Sequence, residues 1–295
     1  RAGRPIASNL GLRMATGDFI LSVDADTSYD YDTIERMIGP FYNSKVGAVA
    51  GNLKVRNLGV SIWTDCQAIE YAISIGLWKR WTSVIRTTLQ ASGAFGAFRR
   101  EALLDFKGWD PELAEDADLS LKVRKCGWDI EFSPYAIAMT SVPETLWALI
   151  KQRLRWDKGT IRTYFHKHGN LMDFRKFPFR NFFELFQEFL MVYLLSFAYV
   201  VYLVVMVIVD WRLLVFALFV SYWLYAAMAF FALLSAIVMS ERRSEELFLL
   251  WYVPFFPIYK EIFRWVRLVA NIQATFRLKY DESYLPKSGY RGERW

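Results

Sequence analysis

Lys151-Gln152-Arg153-Leu154-Arg155-Trp156 is the stretch around which the chain is organised. It falls inside residues 145–168, where Leu146, Leu149, Ile150, Leu154, Ile161 and Phe165 recur at helical spacing. Gln152, Arg155 and Trp156 stand at i, i+3 and i+4, so one helical face carries an amide, a guanidinium and an indole. Those groups together suit a diphosphate and the flat face of a sugar ring. A competing interpretation is a basic amphipathic helix on a membrane surface, because Lys151, Arg153, Arg155, Lys158, Arg162 and Lys167 stud the same segment. The carboxylates upstream weigh toward the first, and the segment is expected to lie along a membrane in either case.

Residues 18–23 (DFILSV) read as a buried strand, bounded by Gly17 and an acidic turn. Asp24-Ala25-Asp26 follows. Residues two apart in an extended chain point the same way, so both carboxylates converge just past the strand. Open α/β sheets bind ligands at that end, and two carboxylates there suit a hard divalent cation carrying a diphosphate. The same letters also fit a turn capping a helix over residues 30–42. Glu115-Asp116 is equally two-sided. It opens a helix running to about Gly127, where the dipole alone favours acids, or it supplies a general base beside a bound sugar nucleotide. Ser92-Gly93 lies in a glycine-spaced apolar run, residues 91–98. Its glycines admit close backbone approach to a ligand, or simply mark a bend or a packed strand. Further strands are expected over residues 46–50, 52–57 and 128–133, and a long helix over 61–80.

The 295 residues are 54% hydrophobic and 18% aromatic, too apolar for an ordinary soluble enzyme. The net charge of +6 suits nucleic acid, anionic lipid or a phosphorylated substrate. No zinc-finger spacing or nucleic-acid-binding motif is present, so lipid and phosphate are the better partners. Cys66 and Cys126 form no framework, which suits a reducing compartment. Residues 189–209 form an uncharged run of about 21 residues, and 213–239 one of about 27, each long enough to span a bilayer. Residues 247–270 contain Pro254 and Pro257 and read as a broken or interfacial element, followed by a basic cytosolic tail over 271–295.

Asp24-Ala25-Asp26, Ser92-Gly93, Glu115-Asp116 and Gln152-Arg153-Leu154-Arg155-Trp156, in that order and followed by membrane spans, resemble the membrane-embedded processive family-2 glycosyltransferases. These make cellulose, chitin, hyaluronan and poly-N-acetylglucosamine. Pro143-Glu144-Thr145 before the pentad also looks like that family. The segments 47–57, 67–71 and 92–96 look most like the poly-N-acetylglucosamine synthases. Two departures stand out. Arg4 replaces the Lys of many members, and the family's first nucleotide-binding aspartate belongs to a strand-loop unit that would precede Arg1.

The resemblance implies an α/β fold with a GT-A-type, Rossmann-like catalytic domain over residues 1–142, incomplete at its N-terminus and inactive alone. Amphipathic interface helices follow over 143–188, and a transmembrane region over 189–270. It implies Mg2+ or Mn2+ on Asp24 and Asp26, and a UDP-sugar whose diphosphate meets Asp24, Arg4, Gln152, Arg155 and Arg162. The growing polysaccharide would be held by Trp156, Ser92, Gly93 and Glu115, with Asp116 as the base. The partners implied are the lipid bilayer of the cell membrane and an accessory membrane subunit, with no nucleic acid and with the catalytic domain cytosolic. Two alternatives remain: a non-processive transferase adding one sugar to a lipid or oligosaccharide, and a membrane transporter with a cytosolic regulatory domain.

Overall fold

The computed structural model describes residues 4–276 apart from residues 89 and 174; the basic tail beyond residue 276 lies outside the described residues. Five strands make one mixed sheet: β1 (Phe19–Val23), β2 (Ser28–Tyr29), β3 (Val46–Val55), β4 (Phe95–Arg99) and β5 (Asp129–Thr140). The strand order is β1-β4-β3-β5-β2. β4 runs antiparallel to both β1 and β3, whereas β3 and β5 are parallel. The central β3 is buried along almost its whole length, as expected of a strand covered on both faces. Gly51 within it is required, because a Cβ there would stand 2.1 Å from the Phe95 ring.

The sheet departs from expectation in two places. Residues 46–50 and 52–57 are not separate strands; Val46–Val55 is one strand, with an irregularity between Gly51 and Asn52. β5 runs on to Thr140 instead of ending at Ser133. Its pairing jumps from Gly51↔Ser133 to Asn52↔Ile137, so Pro134, Tyr135 and Ala136 bulge out and the proline's missing N–H is never called upon. The side-chain amide of Asn52 fastens the bulge by donating to the Pro134 carbonyl at 2.8 Å.

Helices cover the sheet. The long helix expected over 61–80 is capped by Ser61, whose hydroxyl accepts from the Thr64 N–H in a reciprocal capping box. It is α-helical over Ile62–Tyr71, π-helical over Ala72–Trp78, and α-helical again over Lys79–Val84. The helix carrying the pentad is Leu146–Ile161, N-capped by the Thr145 hydroxyl. It packs along Phe256–Thr275.

Leu185–Val238 is long and apolar enough to cross a membrane. It is interrupted at Asp210 (φ −162°, ψ 100°), whose carboxylate accepts the N–H groups of Arg212 and Leu213 at 2.8 and 3.2 Å, capping the second arm. A straight helix would put Val192 about 68 Å from Ile237. Yet the Val192 carbonyl accepts from Asn271, and Ile237 shares an apolar cluster with Leu249, Val253, Phe256 and Tyr259. The two arms therefore fold back on each other, with Asp210 at the tip. Residues 247–270 divide between a 3-10 stretch, Leu247–Phe255, and the helix Phe256–Thr275. The loop after the second arm is tied to the α/β domain by Arg242–Asp30 (3.0 Å), Arg36–Glu241 (2.9 Å) and a buried Lys54–Glu246 pair.

Candidate active site

β1 ends and β4 begins at the same end of the sheet, because the two are antiparallel neighbours. The Asp24 N–H donates to the Ala94 carbonyl at 3.1 Å, which sets Asp24 beside the turn that precedes β4. The Ser92 carbonyl closes that turn by accepting from the Phe95 N–H at 3.2 Å. Gly93, inside it, donates its N–H to Asp116 Oδ2 at 2.9 Å. Asp116 Oδ1 accepts from the Ala117 N–H at 2.9 Å, at the start of the helix Glu115–Lys125.

Arg4, at the start of the helix Arg4–Met14, gathers these pieces. Its guanidinium pairs with Asp24 at 3.1 Å and Glu115 at 2.9 Å, and donates to the Gly93 carbonyl. Burial and the neighbouring Asp116 push the Glu115 carboxyl up from its ordinary range, against the pull of Arg4. Arg4, Asp24, Ser92, Gly93, Glu115 and Asp116 thus lie in one cluster drawn from four separate stretches of chain. Asp26 is exposed on the turn between β1 and β2, with the Thr27 hydroxyl 3.4 Å from its Oδ1.

The pentad approaches from the helix Leu146–Ile161. Gly159, about one turn beyond Trp156, lies against Leu113 and Ala114, immediately before Glu115. A Cβ on Gly159 would stand 2.9 Å from the Ala114 Cβ and 3.0 Å from its backbone nitrogen, so only glycine permits this approach. Within the pentad Arg155 is exposed, and Gln152 and Trp156 are half-buried, as is Arg162 in the π-helical turns that follow. Arg153 does not join the basic surface expected of this helix. It turns inward to an ion pair with Glu70 and lies over the Trp156 ring. Its partner sits 83 positions upstream, which the local pattern could not disclose.

Two further residues carry no motif. Lys79 donates to the Gln90 carbonyl at 3.2 Å, on the loop leading to Gly93. Burial lowers its ammonium to about 8, while Asp116 pulls the other way. Asp118, wholly buried two residues after Asp116, meets His168 at 2.7 Å and Lys167 at 2.8 Å. It thereby pins the turns that follow the pentad helix to the helix carrying Asp116.

Among the described residues no group of three or more His, Cys, Asp or Glu side chains has metal-site geometry. Asp24 and Asp26 are carboxylates of the kind that Mg2+ takes, one or two to an ion, with substrate phosphates and water completing its shell.

Poly-beta-1,6-N-acetyl-D-glucosamine synthase of Staphylococcus aureus is 36% identical over 178 residues, covering 60% of this chain and 43% of that protein. Its namesake in Staphylococcus epidermidis is 39% identical over 159 residues, covering 53% and 38%. The chain therefore spans less than half the length of these relatives. A mannosyltransferase from Pyrobaculum calidifontis, solved in complex with GDP-Man and Mn2+, shares the fold with a TM-score of 0.57 at 16% identity, over 95% of this chain and 68% of that one. The family model described as glycosyl transferase family group 2 matches residues 19–239, and the chain belongs to that family.

Proposed function

We propose that this chain is the transfer and membrane-anchoring portion of an inverting transferase that builds a β-linked polysaccharide from a UDP-sugar. UDP-N-acetylglucosamine is the donor suggested by the relatives' names. The observation carrying this reading is the fork of Arg4, which ties Asp24 at the end of β1 to Glu115 beside Asp116.

Asp24 and Asp26 would hold Mg2+ or Mn2+, which when bound neutralises charge on the departing nucleoside diphosphate. Arg4, Gln152, Arg155 and Arg162 add donors and positive charge for the same diphosphate. Asp116 is the general base. Each of its oxygens accepts one backbone N–H and keeps a further lone pair, so the carboxylate is fixed in orientation yet able to take the acceptor hydroxyl's proton. Attack from the face opposite the diphosphate inverts the anomeric centre. Trp156 presents the face of its ring not covered by Arg153 to the acceptor's terminal sugar, with Ser92, Gly93 and Glu115 bordering that sugar.

The apolar arms flanking Asp210 cross the bilayer of the cell membrane, leaving the sheet domain on the cytosolic side. Their exposed faces suit lipid and an accessory membrane subunit. The deciding experiment offers UDP-N-acetylglucosamine, UDP-glucose and UDP-glucuronate separately to membranes carrying the intact protein, and measures UDP release and product length. A polymer ladder supports the reading. A single addition favours the non-processive alternative, and no UDP release from any donor removes the reading.

A further inference from the structure

Lys79 begins the helix Lys79–Val84 directly after the π-helical turns Ala72–Trp78. Such turns rotate everything that follows relative to an α-helix, and they often occur at functional sites. Here they direct Lys79 to the Gln90 carbonyl, three residues before Gly93. The loop between is held at several points. The Ala91 N–H donates to Ser120 Oγ at 3.0 Å, and that hydroxyl donates to the Asp116 carbonyl at 2.7 Å. The Gly93 N–H holds the Asp116 carboxylate, and the Gly93 carbonyl accepts from Arg4. Two cations therefore grip one short loop, Lys79 at its start and Arg4 at its end, with Asp116 between them. The neighbouring Arg80 turns away, lying over Tyr135 at 5.3 Å and donating to the Met239 carbonyl.

We infer that Lys79 is a positioning residue for the transfer step, holding the 90–93 loop against Asp116 as an ammonium and balancing that carboxylate's charge. This rests on the proposed role of Asp116 as base. The charged group facing Lys79 is Asp116, with Glu115 and Arg4 beyond it. Because burial brings the ammonium down to about 8, its charge is lost as pH rises through that value. Arginine at this position would keep its charge.

The test uses the intact protein in membranes, with UDP release from UDP-N-acetylglucosamine measured from about pH 6 to about pH 10. Lys79→Met is expected to lower kcat at least about tenfold, with the donor KM within about twofold of wild type. Lys79→Arg is expected to restore most of the rate and move the alkaline fall in activity to higher pH. Wild-type kcat in Lys79→Met, or an unmoved alkaline limb in Lys79→Arg, overturns the inference. If Lys79→Met loses its thermal transition in detergent, the Lys79→Arg profile decides alone. Absence of UDP release from the wild-type protein marks failure of the proposed function instead, and is seen before any variant is made.

Discussion

Arg153 lies over the indole of Trp156, with Cζ 4.7 Å from the ring centroid, and closes an ion pair with Glu70 of the helix Ile62–Tyr71. Glu70 also accepts from Lys260 at 2.9 Å and from the Tyr259 hydroxyl at 2.8 Å, so one carboxylate joins three helices. Burial alone would raise the Glu70 carboxyl, but Arg153 and Lys260 hold it down at about 2. Arg153→Met leaves that buried charge with one cation fewer. The expected cost is about 3 kcal/mol, the lower end for a broken buried pair because Lys260 remains. Thermal unfolding in detergent checks this, and Glu70→Gln added to Arg153→Met should recover part of the loss.

Asp118 predicts a dependence on acid. Burial would raise its carboxyl, yet His168, Lys122 and Lys167 hold it at about 2, below the ordinary 3.8. A carboxylate depressed in the folded state contributes stability that is complete above its ordinary value and is lost as pH falls from about 4 to about 2. His168, lowered by burial, resists protonation in the fold, so acidification below its ordinary 6.5 also favours unfolding. The unfolding midpoint should therefore fall in two stages on acidification. Asp118→Asn should shrink the lower stage, leaving the part contributed by Glu70, whose carboxyl is also held at about 2, and should destabilise the protein near neutrality.

Gly159 separates packing from helix propensity. Alanine in a helix interior gains about 1 kcal/mol over glycine, but here its methyl meets the backbone nitrogen of Ala114 at 3.0 Å. Overpacking costs about 1–3 kcal/mol, so Gly159→Ala should be destabilised or neutral and should push the pentad helix away from Ala114. Gly11→Ala is the control, because a Cβ there meets nothing within 4 Å. It should raise the unfolding midpoint slightly and leave UDP release unchanged.

What the sequence discloses and what it withholds divide by range. The strand leading into Asp24 and the helix starting at Glu115 are legible because an apolar run and its terminal acids are local features. The doubling back at Asp210 is foreshadowed by one charged turn between two apolar runs. The strand expected to end at residue 133 runs on to Thr140, and only pairing with β3 shows that a bulge accommodates Pro134. Helical spacing assigns Arg153 to the basic surface, whereas its partner comes from another helix. Lys79 carries no signal because the π-helical turns shift the face it occupies away from the one that 3.6-residue spacing assigns.

Asp116→Asn keeps the side chain's size and one carbonyl oxygen for the Gly93 N–H, but the amide is a poor base. Transfer should fall at least about 100-fold, within the range attributed to a positioned base. Binding of the nucleotide sugar, measured by calorimetry or equilibrium dialysis, should persist. Substantial turnover in this variant would remove the assignment of Asp116 as base.

Gly93→Ala tests the fork of Arg4 without disturbing the core. A Cβ at Gly93 would stand 2.6 Å from Arg4 Nη1 and 3.2 Å from the Asp116 carboxylate. The closer of these is the far end of a flexible side chain, so Arg4 can swing aside while the backbone stays in place. The folded state should survive with an unfolding midpoint close to that of wild type. The cost should fall on the site: with Arg4 displaced, Asp24 and Glu115 lose their common cation, and donor binding and transfer should both weaken. Arg4→Met should reproduce the loss, and Gly93→Ala added to Arg4→Met should cause little further change, because both act on one contact. Fully additive losses in the double variant would show that Gly93 and Arg4 contribute separately.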